Sequence, residues 1–228
     1  GTFSLEVPDI PGFAEPNLAQ FGWAIVIGLI ASVLGSGVRW LALRVRPFVE
    51  PRPLVAVPLA GLVVAALAIG FAAATGHAAS EVLFSGQDAL GGLLTDSARY
   101  SVGTLLLLIG AKGLAYAVSL AAFRGGPIFP AMFLGAALGM VLSHLPGLPL
   151  VAGAAMGIGA MSVVMLRLPL TSVLLASLLL ASDEVALMPL VIVAVVVAHV
   201  VTARLTPARP ATTSAPAAAE HPPGDAGP

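Results

Sequence analysis

The sequence predicts an all-α, polytopic membrane protein, and three features of it do so. Hydrophobic residues fill 58% of the 228 positions and charged residues only 9%, where a soluble domain of this length carries about 25% charge. The apolar residues fall in runs too long and too many for one soluble core. Between the runs lie short connections in which arginines and acidic residues alternate. A net charge of −1 gives no sign of a nucleic-acid partner, and the absence of cysteine excludes disulfides and thiolate metal sites.

Residues 1–20 lack the basic start and apolar core of a signal peptide. With Glu6, Asp9 and Glu15 they read as an extracytoplasmic loop segment, and a chain that opens on Gly1 reads as a piece of something longer. A helix that spans a bilayer takes about 20 residues, which Phe21–Val45, Leu54–Thr75 and Ser101–Phe123 reach. Then come the shorter Pro130–Ser143, Leu150–Met165 and Pro169–Ala181, followed by a longer Val185–Ala203. Helices that short cross only part of the hydrocarbon, and are tolerated where they pack in protein or line a watery cavity. Residues 21–205 thus form one transmembrane domain, and 206–228, rich in Pro and Ala, read as a disordered tail.

Arg39, Arg44, Arg46 and Arg52 surround the first connection and mark it as cytoplasmic by the positive-inside rule. The next holds Glu81, Asp88 and Asp96 against Arg99 and falls outside. Arg124, Arg167 and Arg204 then mark the inner side, while His144–Pro149 and Asp183–Glu184 fall outside. The alternation holds at every connection.

One stretch interrupts the apolar pattern: RGGPIFP, from Arg124 to Pro130, places two glycines and two prolines within six residues. A helix that starts inside the membrane leaves its first N–H groups unpaired, carrying about half a positive charge. Such an end attracts an anion without burying a charged side chain. Gly125 and Gly126 let the backbone approach a ligand and take positive φ, and Pro130 suits a first helical turn, where no N–H is needed. The same residues serve equally as a tight connector between two hydrophobic helices.

The surroundings of this stretch resemble the CLC family of chloride channels and chloride/proton antiporters. AKGLAYAVSLAAFRGGPIFPAMFLGAALG is similar to the family's segment carrying the signature GGxFxP, with Lys112 where the family tends to place a basic residue. Downstream, MGIGAMSVVMLRLPLTSVLLASLLLA resembles the family's run of a small-residue helix, a basic residue and Pro-Leu-Thr, through Gly157, Gly159, Ala160, Arg167, Pro169, Leu170 and Thr171. The resemblance covers about residues 20 to 205, ordered as in the second half of the family's membrane domain. It implies a CLC-like bundle of tilted and re-entrant helices, one half of an inverted repeat, in a plasma-membrane homodimer. It also implies transport of chloride or another small anion, as channel or anion/proton exchanger. In the family, backbone N–H groups after the two glycines face the anion. Here Pro127 has none to give, so the resemblance assigns anion binding to Gly125, Gly126, Ile128 and Phe129. The family's gating-glutamate and serine loops do not occur in this chain. Its late tyrosine is also missing, since Tyr100 and Tyr116 lie too early.

Other residues carry less. Lys112, ionisable within a span, is a pathway candidate; pairing with a carboxylate and snorkelling are equal alternatives. His199 reads as packed or interface-facing rather than as a proton acceptor in a pore, and His77 and His144 sit at membrane edges. Four scattered histidines make no metal-ligand spacing, and no cofactor is implied. Ser162, Thr171 and Ser172 have no His–Asp partners and suit bonding to helix backbones; the sequence predicts no enzyme and no catalytic residue. Two other functions compete: a secondary transporter of a small solute using the same broken helix, and a non-conducting half-domain.

Overall fold

The computed structural model describes residues 16–123, 125–179 and 184–205. Both the start of the loop segment and the Pro/Ala-rich tail lie outside them, as does Arg124. Among the described residues the chain forms α1 (Leu18–Val49), α2 (Pro53–Thr75), α3 (Ser80–Leu83), α4 (Gln87–Thr95), α5 (Val102–Ala122), α6 (Ile128–Ser143), α7 (Leu150–Leu166), α8 (Pro169–Leu179) and α9 (Glu184–Leu205), with no strand. By length and composition α1, α2, α5 and most of α9 can cross a membrane, whereas α6, α7 and α8 are shorter apolar helices.

α1 starts at Leu18, three residues before the apolar run. A capping box sets that start: Asn17 Oδ1 accepts from the Gln20 amide and Gln20 Oε1 from the Asn17 amide, each at 3.0 Å, so two orphan donors of the first turn are satisfied reciprocally. The helix has 32 residues, about 48 Å at 1.5 Å per residue, against a hydrocarbon core of about 30 Å. Its buried stripe is Ala24, Ile27, Gly28, Ala31, Ser32, Gly35 and Val38, mostly small. Small side chains let α7 and α9 lie close. Ser32 Oγ reaches both the Gly28 carbonyl (2.7 Å) and, across to α9, the Ala198 carbonyl (3.1 Å). α2 is peripheral: Leu54, Leu62 and Ile69 remain exposed, as lipid-facing residues do. It ends on Gly76 in the left-handed conformation, φ 75°, which only glycine adopts without strain.

The centre is the pair α6–α7. Residues 131–140 of α6 and 152–164 of α7 are all buried. Gly135 lies against the Gly157 carbonyl and Gly139 against that of Gly153, so the two backbones touch where side chains normally intervene. In lipid no hydrophobic force pushes helices together, and such close van der Waals contact is what holds them. Arg39 reaches the last turn of α7, Nη1 to the Val164 carbonyl at 3.4 Å. Arg39 and Arg167 therefore share one end of the bundle, as the alternation of charges requires.

Two features depart from the sequence reading. The acidic connection after α2, expected as a loop, contains α3, α4 and a short 3-10 turn at Ser97–Arg99. Leu90, Leu93 and Leu94 are buried, an i, i+3, i+4 spacing that marks the buried face of α4. The helix expected near Pro130 begins two residues earlier, at Ile128, with Pro130 inside its first turn.

Candidate functional site

α5 ends at Ala122 and α6 starts at Ile128, so the break is real and short. Pro127 is the N-cap of α6 with φ −81° and ψ −3°, and no side chain caps the helix. The first-turn donors are therefore few. Pro127 and Pro130 have no N–H, which leaves Ile128 and Phe129. Among the described residues no backbone acceptor takes either amide. Among the described residues the end of α6 thus keeps its partial positive charge and two amides without a backbone acceptor.

Gly125 and Gly126 act differently from the expectation. Neither has positive φ; a proline N-cap already in the right-handed region turns the chain without a left-handed residue. Both are exposed, and a Cβ on either would meet nothing within 4 Å. What glycine provides here is open space beside the helix end.

Tyr116 and Lys112 complete the surroundings. Because α5 and α6 fold back on each other across a short break, a residue two turns before the end of α5 comes level with the start of α6. The Tyr116 hydroxyl donates to the Pro127 carbonyl at 2.7 Å and so fixes the N-cap. Tyr116 lies too early in the chain to be the family's ion-facing tyrosine, and its helical distance from the break is the sequence signal for the role it has here. Lys112, one turn further back, is 2% exposed. It neither snorkels nor forms an ion pair among the described residues. Its ammonium donates to the Glu81 and Phe84 carbonyls at 2.5 and 3.1 Å and stands 4.3 Å over the Phe133 ring of α6. A buried cation needs such partners, and this one ties α3 and the turn after it to both helices of the break.

A cavity of about 160 Å³ opens between these parts, lined by Phe84, Ser85, Lys112, Tyr116, Ser119 and Pro130 among others. A single water needs only about 10–15 Å³ by the same kind of measure, so a partly hydrated ion has room. The cavity brings Lys112 together with the first turn of α6; the two glycines lie beside that turn. The other singled-out residues stand apart. Ser172 Oγ bonds the Leu168 carbonyl at 2.9 Å and His144 Nδ1 meets the Met140 carbonyl at 2.9 Å, both within a helical turn. Among the described residues no cluster of metal-ligating side chains occurs.

Among the described residues, four apolar spans, three shorter apolar helices and an uncapped helix start beside a buried lysine define an integral membrane protein with the broken-helix device of ion-transport folds. Comparison narrows this. The sequence pattern of the family described as "Voltage gated chloride channel" matches residues 3–203, and the chain belongs to that family. Chloride transport is its function at the level of the family. Comparison with curated proteins and with solved structures finds no match.

Proposed function

We propose that this chain supplies part of an anion path in which chloride is held by the N-terminal end of α6. The donors are the Ile128 and Phe129 amides, with access across Gly125 and Gly126 and a positive potential from Lys112. The observation that carries this reading is the uncapped, donor-bearing start of α6 next to a cavity lined by a buried lysine. Backbone donors are preorganised and need no desolvated counter-charge, so binding stays weak enough for the ion to leave. The alternation of arginines supports a break toward the cytoplasmic side, and on this reading the chain is part of a plasma-membrane transporter or channel and not an enzyme. The test is chloride uptake into liposomes carrying the full-length protein. Uptake above that of empty vesicles is expected, reduced several-fold in Lys112→Met; Lys112→Met transporting at the wild-type rate would remove the lysine from the path.

The reading extends to a homodimer. Leu170, Leu174 and Leu178 of α8 and Ile192, Val196 and Val200 of α9 are exposed at a spacing of four, one continuous apolar stripe on each helix. Leu179, by contrast, faces inward at 5% exposed. Replacing Leu174 and Leu178 together by Trp keeps the stripe apolar but blocks close packing. Conversion of dimer to monomer in mild detergent is expected, and an unchanged mass would place the interface elsewhere.

A further inference from the structure

A second group of polar side chains is joined to Lys112 through α3 and supplies none of the proposed anion donors. His77 Nδ1 lies 3.4 Å from Glu81 Oε1, with the two side chains only 16% and 12% exposed. The Tyr100 hydroxyl donates to that same oxygen at 3.2 Å. The His77 and Tyr100 rings stack with centroids 4.6 Å apart, and Phe71 covers the imidazole from 6.3 Å. The other carboxylate oxygen, Oε2, is buried and has no hydrogen-bond partner among the described residues. A buried carboxylate half satisfied in this way costs free energy, and a neighbouring imidazole can relieve it by taking a proton. The backbone carbonyl of this same Glu81 accepts from Lys112.

The charges around His77 can be enumerated. α3 contributes Glu81, α5 contributes Lys112, and the segment before α5 contributes Tyr100 together with Asp96 and Arg99, which face each other at 3.9 Å on the surface. The last turn of α2 contributes no charge. Tyr100 does not titrate in the working range: burial, and then the Glu81 carboxylate, push its phenol up to about 12, so it remains a donor. Histidine is the side chain that changes charge between about pH 5 and 8.

We propose that His77, Glu81 and Tyr100 form a proton-binding site that sets the anion affinity of the Lys112 cavity. While His77 is neutral, the Glu81 carboxylate offsets the Lys112 ammonium. On acidification a solvent proton passes to the His77 imidazole, the imidazolium offsets Glu81, and the lysine charge is left to the anion. No covalent bond is made or broken beyond that protonation. The effect on affinity rests on the reading of α6 as an anion site; the protonation does not.

Both parts are tested on the full-length protein. Histidine-labelled protein is titrated by NMR from about pH 8 to about pH 5, with the His77 signals identified by their loss in His77→Gln. Those signals should titrate, and the Tyr100 ring signals should move with them, in wild type but not in His77→Gln. Chloride affinity, measured by calorimetry at the two ends of that range, should rise roughly three- to tenfold on acidification, the size of one charge acting through a partly polar medium. His77→Gln should stay at the wild-type alkaline affinity at both ends, and Glu81→Gln should bind chloride more tightly than wild type at alkaline pH. A merely structural cluster would weaken binding in both variants. A His77 ring that does not titrate overturns the proton site whatever chloride does. A His77→Gln protein with the wild-type pH dependence, or Glu81→Gln with weaker alkaline binding, overturns the coupling. Absence of chloride binding at either pH, with His77 and Tyr100 titrating together, would instead overturn the anion reading and leave the proton site standing.

Discussion

Gly139→Ala is expected to lower the stability of the membrane domain severely, as is Gly157→Ala, whose added carbon would overlap the Gly135 carbonyl. The carbon added at Gly139 would overlap the Gly153 carbonyl, and Gly135→Ala would overlap that of Gly157 in the same way. In each case the obstacle is backbone, so no rotamer change clears it and α6 must part from α7. Overpacking costs about 1–3 kcal/mol where side chains can adjust; here the loss falls at or above the upper end. Helix contact in lipid depends on that close approach, and the cost spreads along both helices. Gly110→Ala is the control, since nothing lies within 4 Å of its added carbon and alanine favours a helix over glycine by about 1 kcal/mol. Thermal or denaturant unfolding of the full-length protein checks the pair. A Gly139→Ala midpoint equal to wild type would mean that the two backbones are not in contact.

The second large effect belongs to the break. Gly126→Val is expected to abolish most chloride flux while leaving stability unchanged. Valine is not strained there, because Gly126 lies outside the positive-φ region and its side-chain position is empty. Only a ligand approaching the α6 amides meets the new side chain, so loss of flux without loss of fold separates a binding site from a connector. Pro127→Ile acts in the opposite direction. Its φ of −81° is ordinary for isoleucine, the carbonyl that receives the Tyr116 hydroxyl is retained, and one N–H is gained at the N-cap. Chloride should bind more tightly, by roughly 0.5–3 kcal/mol for a hydrogen bond to a charged partner. Ile128→Val should be nearly silent, because that position contributes its amide and not its side chain. Calorimetry and liposome flux measure all three. Normal flux in Gly126→Val with unchanged affinity in Pro127→Ile would reduce RGGPIFP to a turn.

The long apolar helices were legible because each is a continuous run with a polar or arginine-bearing end. α3 and α4 were not, since helices of four and nine residues are too short to hold themselves and depend on packing against α5 and α6. The break was legible from its glycines and prolines, and so was which first-turn amides exist, those of Ile128 and Phe129, since proline chemistry alone decides it. The sign of φ at Gly125 and Gly126 was not, because several backbone paths bridge a five-residue gap. Neither were the partners of Lys112. They are main-chain carbonyls about 30 residues upstream, and every residue type carries a carbonyl. The inward face of Leu179 was hidden for a related reason: α8 is apolar nearly all round, so periodicity does not tell core from lipid.

Whether an anion sits on the start of α6 is answered most directly by replacing chloride with bromide in crystals of the full-length protein and measuring anomalous scattering. A bromide peak is expected within hydrogen-bonding distance of the Ile128 and Phe129 amide nitrogens, weakened or lost in Gly126→Val. Bromide bound elsewhere in the protein, with none at those two amides, would contradict an anion site at the start of α6.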